Sequence, residues 1–234
     1  GGSAIDTAKA AWVLYERPDL AAGDLTKSIL PKVKLNLRQK ARFVAVPTTS
    51  GTGADVTWVA VLTDRAMNRK IVFAHNDIVP DLSVLETGLT TTMPRGLTAS
   101  TGLDVIAHAV DGYTSRQQND FSDGPCLQAV KMAVDWLPVA CRDGSNLMAR
   151  EKMQNAATIA GLGFGNSNTG LSHALGHSAG AIFHLAHGRA IGIALPYSLA
   201  YITSHPPIQG VLNPVERLAV LARFVGIEKP SPKD

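Results

Sequence analysis

Six side chains beyond residue 100 have the types and spacing of a metal centre. Asp104 and His108 stand four residues apart in Thr101-Gly102-Leu103-Asp104-Val105-Ile106-Ala107-His108. On a helix such residues share one face, so a carboxylate and an imidazole can grip one cation from a single rigid element. Taken alone, an Asp-x3-His pair is most often a helix-surface ion pair. A second cluster changes that weighting: His173 and His177 repeat the spacing, and His184 and His187 follow, so four histidines fall within fifteen positions. Between Met153 and Val215 the only Asp, Glu, Lys or Arg is Arg189. A stretch so poor in charge is expected to be mostly buried, where each neutral imidazole must satisfy two nitrogens. Metal binding explains the cluster better than unrelated core histidines do. One carboxylate with several imidazoles suits a borderline divalent ion such as Fe(II) or Zn(II), whereas Ca(II) and Mg(II) prefer oxygen shells. Position 174 is alanine, so the glutamate of an HExxH metalloprotease is missing.

Two glycine clusters lie in the first half. Gly1-Gly2-Ser3-Ala4-Ile5-Asp6 places glycines before a helix start, where free backbone amides and the positive end of the helix dipole attract phosphate. Pro47-Thr48-Thr49-Ser50-Gly51-Thr52-Gly53 follows a strand signal and offers hydroxyls with close backbone approach, suiting a ribose or phosphate. It lacks the Gly-Lys-Ser/Thr ending of a P-loop, which argues against ATP chemistry. Each cluster alone is also compatible with a plain loop.

Taken together and in order, GGSxxDxAK at 1–9, PTTSGTGADVT at 47–57, GLDxxxHAxxGY at 102–113, and HxxxH followed by HG between 173 and 188 resemble the iron-containing alcohol dehydrogenase family. The resemblance implies four metal ligands, Asp104, His108, His173 and His187, holding Fe(II) or Zn(II). It puts His177 near the nicotinamide and outside the usual ligand set; one turn from His173, His177 is a candidate for relaying the alcohol proton or orienting the ring, the alternative being a histidine that fixes ligand geometry. It implies that Gly2, Ser3 and Asp6 meet the cofactor pyrophosphate and neighbouring groups, that Thr48, Thr49 and Thr57 form a second cofactor segment, and that Lys70 reaches the nicotinamide ribose. The implied activity is reversible hydride transfer between a small alcohol and its aldehyde or ketone, with NAD or NADP, in a cytoplasmic homo-oligomer. The rivals are a zinc-dependent polyol dehydrogenase or a dehydroquinate-synthase-like enzyme with the same layout and fewer histidines, and a non-catalytic metal-binding fragment. The glycine motif reads GGS where the family has GGGS, and family members continue past Asp234, so the chain is expected to be truncated at both ends.

The elements that must position these groups can be read from periodicity. Ser3 to Tyr15 has helical spacing, with Ile5, Ala8, Trp12 and Tyr15 on one face, Ser3 as N-cap and Asp6 at the capping-box position. Phe43 to Val46, ended by Pro47, predicts a buried strand; Val56 to Leu62 and Lys70 to Ala74 predict a hairpin across a polar turn; Leu82 to Leu85 predicts a further strand. Beyond Pro94 the spacing is helical, over 99–115, 122–141, 147–163 and a glycine-interrupted series from Leu171. The expected fold is an α/β nucleotide-binding portion, 1–92, forming the C-terminal part of a dinucleotide-binding domain, followed by an all-α metal-binding domain, 93–234. The resemblance adds that this is a dehydroquinate synthase-like architecture.

Composition narrows the partners. With 234 residues and 45% hydrophobic content the chain can bury a sizeable core, which excludes disorder. The net charge of +3 is too small for a nucleic-acid or membrane-surface protein and favours a small partner. Cys126 and Cys141 are too few and too far apart for a disulfide framework or a CxxC site and read as ordinary buried thiols in a reducing compartment. No signal-peptide pattern or bilayer-length apolar run is visible, so a soluble intracellular protein is expected.

Overall fold

The computed structural model describes residues 1–26, 33–64, 69–205 and 213–228. Its first helix, α1, spans Gly2–Glu16, one residue beyond the predicted helix at each end. The N-cap is Gly1 and no side chain caps the helix, which corrects the assignment of Ser3. Asp6 does not close a capping box, because its carboxylate is turned across the fold to accept the Val61 N–H at 2.9 Å. The buried face also differs: Lys9 and Glu16 go inward with Ile5, Trp12 and Val13, whereas Tyr15 is exposed. Two polar anchors make that burial tolerable. Lys9 Nζ donates to the Thr57 and Val59 carbonyls at 2.5 and 3.0 Å, and the Glu16 carboxylate accepts backbone N–H groups of Gln39, Lys40 and Ala41. Burial pulls the Lys9 ammonium down to about 8, against the opposing attraction of Asp6 and Asp55.

The strands are shorter than their apolar runs. β1 (Val44–Ala45) pairs in parallel with β4 (Leu82–Ser83), Val44 opposite Leu82. The predicted hairpin forms from β2 (Val59–Asp64) and β3 (Arg69–Ala74), antiparallel from Val59↔Ala74 to Asp64↔Arg69, while its turn, 65–68, lies outside the described residues. β2 starts at Val59 and not at Val56, because the Val56 N–H closes a turn onto the Gly53 carbonyl. Trp12, Val13, Leu35, Leu37, Ala60, Phe73 and Ile78 form the core under α1 and the hairpin.

Five further helices carry the second half of the site and its support: α2 (Arg95–Thr114), α3 (Asp120–Arg142), α4 (Leu147–Gly165), α5 (Leu171–Phe183) and α6 (His187–Ser204). A last helix, α7 (Pro214–Phe224), packs its Leu221 into the same core. Small side chains, among them Ala109, Ala129, Ala133, Ala156 and Ala160, are fully buried between α2, α3 and α4 and allow close helix approach. Asn119 and Ser122 form a capping box that sets the start of α3. The glycine-interrupted series divides into α5 and α6 because His184 takes a left-handed conformation, φ 53°, and ends α5 with its N–H on the Gly180 carbonyl.

Polar clasps from α4 hold the start of α2 and the loops and strands before it. Arg150, 2% exposed, donates to Thr98 Oγ1 and to the Met93 and Gly144 carbonyls, which fixes the start of α2. Asp55 accepts from Ser83 and Thr158, and Trp58 Nε1 donates to the Gly165 carbonyl at 2.6 Å. Gly53 sits at φ +60°, where a Cβ would come within 2.7 Å of the Gly161 Cα on α4, so the loop after β1 can lie against that helix only with glycine there.

Two expectations need correction. The charge-poor segment is not mostly buried: Ile182, Phe183, Ile193, Tyr197 and Tyr201 are exposed on α5 and α6, so its low charge reflects an apolar surface and a cavity wall as well as core. Cys126 is buried, and burial pushes its thiol up to about 12, but Cys141 is only half-buried. Among the described residues, no helix is long and apolar enough to cross a membrane.

Candidate metal centre and cofactor cavity

α2 presents Asp104, His108 and Asp111 along one buried face, at the i, i+4, i+7 repeat of a helix. α5 brings His173 from its first turn and α6 begins with His187, so the short connection between them folds both histidines back onto α2. Asp104 Oδ1 is the common point. It lies 3.6 Å from His108 Nδ1, 3.8 Å from His173 Nε2 and 3.6 Å from His187 Nε2. The donor atoms of Asp104, His108 and His173 are all within 4.8 Å of one another.

Three of these atoms, Asp104 Oδ1, His108 Nδ1 and His173 Nε2, are buried with no hydrogen-bond partner. Leaving a buried polar atom unsatisfied costs about 1–3 kcal/mol, and three at one point call for a shared partner. No donor proton can serve them all, since a carboxylate and two imidazole lone pairs are acceptors. Four donors each about 2.0–2.2 Å from one first-row ion would stand about 3.4 Å apart, close to the distances found. The donor set and the geometry therefore fit a divalent transition metal.

Electrostatics agree. Burial pushes the Asp104 carboxyl above its ordinary value, against the pull of His187 and His173. Burial also pushes His108 well below the ordinary histidine range, helped by His173 and His187 and opposed by Asp111. A cation at their centre would restore the carboxylate and use the neutral imidazoles as they are.

Most of the other expected residues surround a cavity of about 890 Å³ that opens onto this cluster. Gly2, Ser3, Asp6, Thr57 and Lys70 line it from the first half, and His108, His173, His177 and His187 from the second. Burial raises the Asp6 carboxyl above its ordinary value, opposed by its bond from Val61 and by Lys9 and Lys70. Lys70 Nζ donates to Thr63 Oγ1 at 2.8 Å on the neighbouring strand, which aims it along the cavity wall. Thr48 and Thr49 are not in the lining; they stand behind Gly1, and Thr52 takes the place beside Gly2 instead.

His177 lies one turn beyond His173 on α5, its ring centre 5.0 Å from that of His187 and 6.2 Å from that of His173. Burial lowers it below the ordinary histidine value, with His173 and Lys70 adding to the effect, which favours the neutral ring, and it lines the cavity. His184 also lines the cavity, and its backbone ends α5.

Residues 98–234 match the description "Fe-containing alcohol dehydrogenase family, C-terminal", and residues 1–87 match "Iron-containing alcohol dehydrogenase". The chain belongs to the iron-containing alcohol dehydrogenase family. An aldehyde-alcohol dehydrogenase of Streptococcus pneumoniae is 36% identical over 245 residues, covering 100% of this chain and 28% of that protein. The NADPH-dependent butanol dehydrogenase of Clostridium saccharobutylicum is 39% identical over 227 residues, covering 97% of this chain and 55% of that one. Among solved structures, an alcohol dehydrogenase from Oenococcus oeni superposes with a TM-score of 0.87 at 34% identity, covering 100% of this chain and 58% of that one. The chain thus spans between about a quarter and somewhat over half the length of these iron-containing alcohol dehydrogenase relatives.

Sequence reasoning missed three residues at this cluster, Asp111, Ser172 and Phe164. Asp111 accepts from His173 Nδ1 at 2.7 Å, from Ser172 Oγ at 2.6 Å and from the Gly170 N–H at 2.9 Å. Those three contacts outweigh burial and hold its carboxyl below the ordinary value. Phe164 stacks on His108 with ring centres 4.2 Å apart. The spacing of Asp111 on the 104/108 face was a usable signal; Ser172 and Phe164 had none, because their contacts depend on how separate helices pack.

Proposed function

We propose that the protein is a metal-dependent, NAD(P)-linked alcohol dehydrogenase that interconverts a small alcohol and its aldehyde or ketone. The single observation that carries this reading is the meeting of Asp104, His108, His173 and His187 at Asp104 Oδ1 beside a cavity lined by both glycine-rich and histidine-rich segments. Those four residues would hold iron or zinc; bound there, the ion supplies Lewis acidity that eases loss of an alcohol proton or polarises a carbonyl, while a nicotinamide ring exchanges the hydride. In this reading residues 1–92 form the cofactor side and residues 93–234 the metal side.

The chain's own residues do the rest. Gly2 and Ser3, at the N-terminus of α1, offer backbone N–H groups to the cofactor diphosphate. Asp6 and Lys70 face the same cavity from α1 and β3 and would take the ribose and carboxamide polar groups. Thr57 belongs to the same wall, and Thr48 and Thr49 would support the loop from behind. Neutral His177 accepts the proton that leaves the alcohol oxygen, and returns it in the reverse direction. Phe164 and the apolar flank of α5 exclude water from the reacting carbon.

The test is aldehyde-dependent oxidation of NADH and NADPH by the purified protein, with metal content measured on the same sample. Turnover that rises with iron or zinc occupancy is expected; stoichiometric metal with no turnover on any short-chain aldehyde or ketone would favour a binding role instead. His177→Phe separates relay from ligation. Turnover should fall about 100-fold or more with metal content unchanged, whereas loss of the metal would put His177 in the coordination sphere.

A further inference from the structure

We infer that Asp111 is the positioning residue of the metal centre, locking His173 in the one tautomer and ring orientation that turn Nε2 toward Asp104 and His108. The inference rests on the metal reading above and concerns a residue that never reaches the cavity itself. Asp111 is 2% exposed, sits three residues after His108 on α2, and meets His173 across 62 residues of sequence. An ionised carboxylate can only accept, so the 2.7 Å contact requires the hydrogen on His173 Nδ1. Nε2 is then left with its lone pair, and it is the atom found buried, unpartnered and 3.8 Å from Asp104 Oδ1.

The contact fixes orientation as well as tautomer. The same Oδ2 also accepts from Ser172 Oγ and the Gly170 N–H, the residue before His173 and the residue at the N-cap of α5. α5 has no side-chain cap of its own. Asp111 therefore ties the start of α5 to the helix that carries Asp104 and His108: His173 cannot rotate without breaking its Nδ1 contact, and the first turn of α5 cannot withdraw without breaking all three bonds to one oxygen. Among the described residues no other ligand position has such a carboxylate contact behind it, and His108 is instead stacked on Phe164.

Asp111→Asn keeps the size of the side chain but removes its negative charge, so the bond from His173 Nδ1–H loses its charge assistance and the hold on the ring weakens. Zinc affinity, measured by competition with a chromophoric chelator, should fall about 10- to 100-fold, while the melting temperature of the metal-free protein stays near that of the wild type. Ser172→Ala removes one of the three bonds to that oxygen and leaves the Nδ1 contact in place, so it should lower affinity by less than Asp111→Asn does. Nitrogen-15 imidazole shifts of the zinc-loaded wild type provide the reading that survives a poorly folding variant: the His173 hydrogen should be on Nδ1. An Asn variant that binds zinc as tightly as wild type, or a hydrogen found on Nε2, would overturn the positioning role alone. A wild-type protein that binds no zinc or iron would overturn the metal reading and this inference with it.

Discussion

His173→Ala is expected to empty the metal centre. His173 supplies one of the three buried donor atoms and is the side chain through which α5 reaches Asp104. Its loss leaves Asp104 and His108 with an incomplete and widened donor set, and elemental analysis after gel filtration should find iron or zinc far below one per chain. In the proposed reaction the ion would supply several kcal/mol of Lewis acidity, so kcat should fall about 1000-fold or more without it. A stability readout follows from linkage: an ion that binds only the folded protein raises its melting temperature, and that rise on metal addition should vanish in the variant. His187→Ala should also lower metal content, though less steeply, because its side chain is 43% exposed on the cavity side and a solvent molecule can enter in its place. His205→Ala is the control, since that imidazole is bound to the Tyr201 carbonyl at the end of α6. Unchanged metal content in both the His173 and His187 variants would discard the assignment.

Gly188→Ala should damage the same centre from the other side, without touching a ligand. Gly188 is the second residue of α6 and lies flat against α2. A methyl group there would overlap the Ser100 carbonyl oxygen and sit 2.8 Å from the Ser100 carbonyl carbon and 3.1 Å from Asp104 Cβ. Both first neighbours are backbone atoms in a helix, so neither can swing aside. Overpacking a tight interface costs about 1–3 kcal/mol, and this case belongs at or above the upper end, which corresponds to a melting temperature lower by about 6–12 °C. Relief can come only by moving α6 away from α2, and that movement carries His187 away from Asp104. Metal affinity should therefore drop along with stability. Gly96→Ala is the matched comparison: nothing lies within 4 Å of its added methyl, and in the first turn of α2 alanine should be neutral or slightly stabilising. A Gly188 variant with wild-type melting temperature and metal content would show that α6 can shift without disturbing the ligand it starts with.

Much of the site was legible in the chain because its signals are local. The pitch of a helix is enough to put Asp104 beside His108, and His173 one turn from His177, in any fold that keeps those segments helical. The same applies to the hairpin of β2 and β3, whose pairing follows from two β-rich runs at close range. Local rules went astray where a distant partner outbid a near one. Ser3 and Asp6 had the pattern of a capping box, yet Asp6 is claimed by the Val61 N–H of a strand 55 residues away. Tyr15 had the right period for the core, yet Lys9 and Glu16 are buried because backbone groups from other segments satisfy them.

Residue types and short spacings thus committed this chain to helices bearing a carboxylate and imidazoles, and to a glycine-rich helix start suited to an anionic cofactor. Whether those imidazoles would meet was open until α5 and α6 folded back on α2. Convergence at Asp104 Oδ1, the contact from Asp111 to His173 and the close seat of Gly188 on Ser100 all join positions between 62 and 88 residues apart. Such contacts depend on the volumes of the alanines between the helices and on the angles at which they pack, which are collective properties of the folded core.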